Sequence, residues 1–255
     1  AWAMLLVPFV IGFAAGGGWG TPVFLLLGII LSFFVARYPL VLWARSRFQR
    51  FPDHGLRTLI ASATHGTMLG GLLLGRYELW LMVPLGAIAA ALLAVHLLLV
   101  RLRMERTEAS EFLGIGTLAL TAPAAFYAST GVLSPTAFVL WLLAVAYFGS
   151  SIFYVRMRRT DQEGADCLRR QQGPDPARSL VLYQAVALGG IALRSVAELV
   201  PPLAIAAFLP MTAMVVAGVF RRGGVVDVKR LGFILVGHSV LFTLLIVAIF
   251  GTVRV

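Results

Sequence analysis

The sequence predicts an all-α fold, a polytopic bundle of about nine membrane-spanning helices. The 255-residue chain is 60% hydrophobic and only 13% charged, which is more apolar than a soluble protein of this size needs. Its apolar stretches are each close to the roughly 20 residues that cross a bilayer. Eighteen of the 21 Lys and Arg residues fall in four clusters, an asymmetry typical of cytoplasmic loops. The clusters run from Arg37 to Arg57, from Arg101 to Arg106, from Arg156 to Arg178 and from Arg221 to Arg230.

The predicted spans cover about 1–18, 21–43, 58–75, 79–100, 112–130, 134–155, 180–199, 203–220 and 231–253. Positive charge places the loops 44–57, 101–111, 156–179 and 221–230 in the cytoplasm. The N-terminus is then expected inside and the C-terminus outside.

The net charge of +10 is interpreted as cytoplasmic loops that face anionic lipid headgroups. No polar segment interleaves basic and aromatic residues, so a nucleic-acid partner is not expected. Cys167 is the only cysteine, which excludes intrachain disulfides and cysteine-based metal sites. The sequence assigns no cofactor.

A weak internal repeat divides the single predicted domain, residues 1–255. The segment Trp43 to Arg47 matches Tyr154 to Arg158 at an offset of 111, and Thr21-Pro22 matches Ser134-Pro135 at 113. The pattern predicts parallel copies at 1–111 and 112–230. The final span, 231–253, completes an arrangement of four plus four plus one.

Glycines at helical spacing indicate close helix–helix contact. The pairs Gly66/Gly70 and Gly71/Gly75 lie in the third span, and Gly189-Gly190 lies in the seventh. We expect these positions to pack against neighbouring helices.

Three histidines lie at a similar depth beneath the cytoplasmic ends of spans three, four and nine. They are His65, His96 and His238, about 7–11 Å below the interface at 1.5 Å per residue. They could line one cavity that holds a metal, haem, a proton relay or the headgroup of a lipid such as a quinone. The alternative is three unrelated hydrogen bonds between helices.

Paired arginines end spans two and six: Arg45 with Arg47, and Arg156 with Arg158. Guanidinium groups suit phosphate oxygens, so these pairs are candidate ligands of a diphosphate or an anionic headgroup. The alternative is ordinary anchoring at the cytoplasmic interface.

Further charged residues form two weaker candidates. Arg194 and Glu198 are four residues apart in span seven, the spacing of an ion pair on a helix. Asp161, Glu163 and Asp166 could bind Mg²⁺, but their arginine neighbours favour surface ion pairs instead, so no metal is predicted.

The first ten residues, AWAMLLVPFV, resemble the N-terminal signature of the YwiC-like family of bacterial membrane proteins. Lys229 to Gly232, Gly237 to Ser239 with Phe242, and Tyr147 to Arg156 add to the likeness. The resemblance implies a multi-pass protein of the bacterial inner membrane, and it implies no established activity.

A more distant likeness is to the UbiA prenyltransferase superfamily, whose members have nine helices and catalytic loops after spans two and six. In that superfamily Asp-rich motifs hold Mg²⁺ and a prenyl diphosphate. Here the first of these loops offers only Asp53, and the second lacks the Asp-x-x-x-Asp spacing. The likeness is therefore one of topology.

These resemblances and candidates lead to one main hypothesis. The protein binds or transfers an amphipathic isoprenoid or other lipid at the cytoplasmic side. The alternatives are a non-enzymatic haem- or quinone-associated subunit of a respiratory or photosynthetic membrane complex, and a transporter. Whether the protein is an enzyme is left open.

Overall fold

The protein is all-helical in the part of the chain that the structure, a computed structural model, describes: residues 2–46, 53–104, 107–163, 175–196, 200–220 and 228–252. Each predicted span coincides with a helical segment. The α-helices are α1 (Trp2–Gly16), α2 (Thr21–Arg45), α3 (Asp53–Tyr77), α4 (Met82–Arg101), α5 (Glu108–Ala119), α6 (Thr121–Thr130), α7 (Pro135–Glu163), α8 (Pro176–Val196), α9 (Leu209–Phe220) and α10 (Val228–Thr252). A 3₁₀ helix, Pro202–Phe208, precedes α9.

Seven helical segments in the described residues are long and apolar enough to cross a membrane. Three of them, α2, α4 and α8, also leave most of their residues exposed: only 22%, 11% and 22% of their most apolar stretches are buried. Lipid tails solvate an apolar protein surface well, whereas water does not. The predicted all-α, polytopic membrane bundle is therefore confirmed.

The other two predicted spans are α1 and α3. With 15 residues, α1 is apolar but shorter than a full span. With 25 residues, α3 is long enough, but it carries more polar side chains than the seven segments. The count of nine spans stays a prediction.

Proline explains why the fifth span is made of two helices. Pro123 has no backbone N–H, and its ring conflicts with the carbonyl four residues earlier, at Ala119. Accordingly α5 ends at Ala119 and α6 begins at Thr121. Together they form one candidate span of 23 residues.

Two compact units make up the chain: an N-terminal unit, Pro8–Trp141, and a C-terminal unit, Leu142–Val255 with Ala1–Val7. In the N-terminal unit, α2 contacts α3, α4 and α6. Its N-terminal half packs into an apolar core at one end of this unit, formed by Phe9, Phe13, Val23, Leu26, Leu73, Leu79, Ala125, Tyr127 and Ala128. This packing leaves the C-terminal half of α2 to line a pocket with α4.

Glycine packing differs from the sequence prediction. A Cβ atom added at Gly70, Gly71, Gly75, Gly189 or Gly190 would meet nothing within 4 Å. The close approach is instead made by α1, where a Cβ at Gly12 would overlap the carbonyl oxygen of Ala122 and one at Gly16 would overlap the Ser129 hydroxyl.

The prediction from glycine spacing was wrong at those five positions because spacing alone does not say which face of a helix meets a neighbour. Of the predicted positions, Gly66 does face α2, where a Cβ would lie 3.3 Å from the Phe33 ring.

Aromatic packing holds the C-terminal unit together. The rings of Tyr147 and Phe242 stack with centroids 4.0 Å apart, and Phe208 meets both edge-on. Buried Gln184 donates from Nε2 to Thr212 Oγ1 at 2.7 Å, and Thr212 in turn donates to the Phe208 carbonyl at 2.9 Å. These contacts join α7, α8, the 3₁₀ helix, α9 and α10.

Candidate functional site

A pocket of about 510 Å³ lies between the C-terminal halves of α2 and α4. The residues that line it are Phe34, Arg37, Tyr38, Val41, Arg45, His96 and Val100. On α2 they recur every three to four residues, and on α4 His96 and Val100 are four apart, so each helix presents one face. The volume is within the range of small-molecule sites.

The two arginines of this pocket lie at different depths. Arg45 is exposed in the last turn of α2, whereas Arg37 is half-buried eight residues earlier, about 12 Å along the axis. Phe34, Val41 and Val100 provide apolar walls beside them. The pocket therefore has one arginine at its exposed end, Arg45, and one in its interior, Arg37, and apolar side chains lie beside both.

A hydrogen bond fixes the state of His96. The Nη2 atom of Arg37 lies 3.1 Å from His96 Nε2. A guanidinium group has no acceptor, so it donates, and His96 Nε2 accepts with its lone pair. The imidazole is therefore neutral and carries its proton on Nδ1.

A third helix holds the opposite side of that ring. His96 Nδ1 is 3.5 Å from the Ser110 hydroxyl, and with its proton it donates to Ser110 across this long contact. Ser110 is buried at the start of α5, where its backbone N–H donates to the capping hydroxyl of Thr107 at 3.4 Å. The cap thus positions the serine, and the serine orients the histidine.

His65 has different partners. Its Nδ1 lies 2.7 Å from the hydroxyl of buried Ser32 on α2, and that hydroxyl donates to the Gly28 carbonyl at 2.7 Å. Because the hydroxyl has one proton, Nδ1 of His65 is the donor in this pair. The structure does not bring His65 into the pocket lining, where His96 lies.

The remaining described candidates belong to the C-terminal unit. His238 Nδ1 donates to the Ile234 carbonyl of its own helix at 2.8 Å. Arg158 Nε donates to the Tyr154 hydroxyl at 3.3 Å, and its guanidinium lies 5.7 Å from the centre of that ring. Arg156 is half-buried on the same helix. The shared cavity of three histidines and the two arginine pairs stays a prediction.

Several predicted site residues are only partly described. Arg194 is exposed in the last turn of α8, where a cation suits the helix dipole. Its predicted partner Glu198 lies outside the described residues, as do Arg47 and Asp166. Asp161 and Glu163 are in the last turn of α7, and their side chains fall outside the described part. Within the described residues, no three His, Cys, Asp or Glu side chains are grouped to hold a metal.

Sequence reasoning missed Arg37, Tyr38 and Ser110. A signal for Arg37 was available: it is a charged residue six positions before the end of predicted span two, and ionisable residues within spans mark sites by default. Ser110 gave no such signal, because only the fold brings it to His96.

A family model described as YwiC-like protein matches residues 1–126, just under half of the chain. No curated protein and no solved structure matches the chain. The matched residues contain every described residue that lines the pocket, and also Ser110. The likenesses near Tyr147 and Lys229 lie beyond the match and stay predictions. The predicted resemblance to the YwiC-like family is confirmed over residues 1–126, and the chain is an integral membrane protein.

Proposed function

We propose that the pocket between α2 and α4 binds the phosphate headgroup of an amphipathic lipid, with an isoprenoid phosphate as the best-fitting class. One observation carries the proposal: Arg37, Arg45 and His96 line the same pocket, beside apolar side chains.

Arginine is the main reason to expect phosphate. Its planar fork donates two parallel hydrogen bonds to phosphate oxygens, and such charge-assisted bonds are roughly twice as strong as neutral ones. Arg37 is half-buried, so water competes less for its donors than it does at an exposed arginine.

The apolar lining is the reason to expect a lipid. The side chains of Phe34, Val41 and Val100 offer no hydrogen-bonding group, and they suit the first carbons of a hydrocarbon tail. Exposed apolar residues surround the same helices, with Tyr38 71% exposed and Val35 44% exposed. A tail could pass from the pocket into the bilayer along this surface.

The proposal also includes the orientation of the protein in the membrane. Arginine-rich loops follow α2 and α4, so the pocket mouth faces the cytoplasm of a bacterial inner membrane, with the N-terminus inside and the C-terminus outside. Thiol labelling of single cysteines at positions 20 and 103, in a Cys167→Ser background, tests it. Label reaching position 20 only from outside and position 103 only from inside supports the orientation, and the reverse contradicts it.

Among the described residues, no contact favours the haem- or quinone-associated subunit or the transporter over lipid-phosphate binding. We expect Mg²⁺-dependent prenyl transfer to be absent or weak, because the loop after the second span offers only one carboxylate, Asp53.

Two ligands with the same tail test the proposal. Protein in phosphatidylcholine nanodiscs is titrated with farnesyl phosphate and with farnesol, and binding is counted by native mass spectrometry. We expect the phosphate to bind at least about tenfold more tightly, because hydrogen bonds to charged groups contribute about 1.5–3 kcal/mol. Inorganic phosphate should compete only weakly, since it lacks the tail. Equal binding of the alcohol, or full competition by inorganic phosphate, would contradict a lipid-phosphate site.

A further inference from the structure

The N-terminal unit carries two exposed tryptophans at the end opposite the pocket. Trp19 lies just before α2 and is 77% exposed, and Trp80 lies just before α4 and is 64% exposed. The C-terminal halves of α2 and α4 line the pocket. Because both tryptophans precede these helices, they lie at the other end of the unit, which is its tryptophan end.

Packing holds the two tryptophans at one level. The Trp19 ring meets the Phe13 ring edge-on, with centroids 4.7 Å apart. Trp80 directly follows Leu79, which belongs to the same apolar core as Phe13. The two turns therefore flank one core, and both indoles remain exposed beside it.

A third exposed aromatic side chain lies at the pocket end. Tyr38 lines the pocket and is 71% exposed. It lies about 26 Å along the axis of α2 from the first residue of that helix, Thr21. On α4, Val100 lines the same pocket about 27 Å from the first residue, Met82. On both helices, the pocket is thus separated from the tryptophan end by close to the roughly 30 Å of a hydrocarbon core.

The stretches between these two levels suit hydrocarbon. Neither 21–36 of α2 nor 82–100 of α4 contains Asp, Glu, Lys or Arg, and both expose large apolar side chains. Exposed charged side chains lie at or beyond the two ends instead. They are Arg76 and Glu78 beside the tryptophan end, and Arg45 at the end of α2.

We propose that Trp19, Trp80 and Tyr38 bind the headgroup boundaries of the bilayer, the two tryptophans in one leaflet and Tyr38 in the other. An indole or a phenol joins an apolar ring to a hydrogen-bonding group. Hydrocarbon solvates only the ring, whereas water solvates only the polar group well, so an exposed side chain of this kind is most stable at the boundary. Arg37, next to Tyr38, then lies at the level where the headgroups begin.

This depth places the pocket at the headgroup level of one leaflet. A molecule with a polar head and an apolar tail can then reach the pocket from that leaflet without crossing the hydrocarbon core. The depth follows from exposure and helix length alone, so it holds whether or not the pocket binds phosphate.

Fluorescence quenching by brominated lipids measures these depths. Variants that keep one tryptophan, Trp19 or Trp80, have Phe at the other four tryptophan positions. They are placed in phosphatidylcholine vesicles brominated either near the headgroup or deep in the tails, with no farnesyl phosphate present. Shallow bromines should quench both tryptophans more strongly than deep bromines. Tyr38→Trp, in a background with Phe at all five positions, should behave in the same way.

Ala91→Trp in that background is the matched control. Ala91 is exposed on α4, about 14 Å from Met82 and so midway between the two levels. Deep bromines should quench this variant more strongly than shallow ones. Stronger quenching of Trp19 or Trp80 by deep bromines would overturn the proposal. Quenching of them by neither lipid would also overturn it, since water or a protein partner would then cover the tryptophan end. A deep position for Tyr38→Trp would overturn the placement of Arg37.

A second measurement keeps all five tryptophans, because Trp141 Nε1 donates to the Gly116 carbonyl at 3.0 Å and its replacement removes that bond. Nitroxide labels at Thr21→Cys, Ala91→Cys and Leu102→Cys, each in a Cys167→Ser background, are compared for accessibility to oxygen and to a water-soluble nickel complex. Ala91 should be the deepest of the three. Equal or greater depth at either of the other positions would contradict the proposal.

Discussion

Replacing Gly12 with alanine should destabilise the protein by about 1–3 kcal/mol, the usual cost of overpacking. A Cβ at this position overlaps the carbonyl oxygen of Ala122 on α6. Both partners are helix backbone, so neither can rotate away as a flexible side chain would. The loss should appear as a lower thermal midpoint for the protein in detergent micelles.

Gly71→Ala is the matched control. It makes the same chemical change inside a helix of the same unit, but nothing lies within 4 Å of the new Cβ. Alanine favours helix over glycine by roughly 0.5–1 kcal/mol, so Gly71→Ala should leave the midpoint unchanged or raise it. If the two variants melt at the same temperature, α1 and α6 do not approach closely at Gly12.

Replacing Arg37 with glutamine should weaken farnesyl phosphate binding by about 10- to 100-fold, the equivalent of the 1.5–3 kcal/mol that hydrogen bonds to charged groups contribute. The same change at Arg45 should cost less than about fivefold, because Arg45 is exposed and exposed ion pairs contribute only about 0–1 kcal/mol. Native mass spectrometry in nanodiscs measures both affinities.

Arg76→Gln controls for the loss of one positive charge. Arg76 is exposed at the C-terminal end of α3, and the antiparallel packing of α3 on α2 places it at the opposite end of this unit from the pocket. Its replacement should leave affinity unchanged. If Arg76→Gln weakens binding as much as Arg37→Gln does, general electrostatic attraction to the protein would explain binding without a pocket.

Much of this fold could be predicted from the sequence because a bilayer imposes simple rules. Length and apolarity mark the spans, since every backbone polar group must pair within its own helix. The division of the fifth span was not predicted, although Pro123 carries a local signal that the length criterion overlooks. The prediction from glycine spacing was wrong at Gly71 and missed Gly12, because contact depends on which helices become neighbours.

The candidate site was predicted in part. Arg45 and His96, chosen from their positions near cytoplasmic helix ends, do line one pocket. Arg37 was passed over as a member of a charged cluster, yet it bonds directly to His96. The sequence could not supply this link, because the two residues lie 59 positions apart and only the packing of α4 on α2 brings them together.

Photo-crosslinking tests the central claim most directly. A farnesyl phosphate analogue with a diazirine on its first isoprene unit is irradiated with the protein in phosphatidylcholine nanodiscs, and the labelled peptides are mapped by mass spectrometry. If the pocket holds a lipid phosphate, the label should fall within 34–45 of α2 and 96–100 of α4, and excess farnesyl phosphate should suppress it more strongly than farnesol. Labelling confined to other segments, or equal suppression by farnesol, would contradict the account.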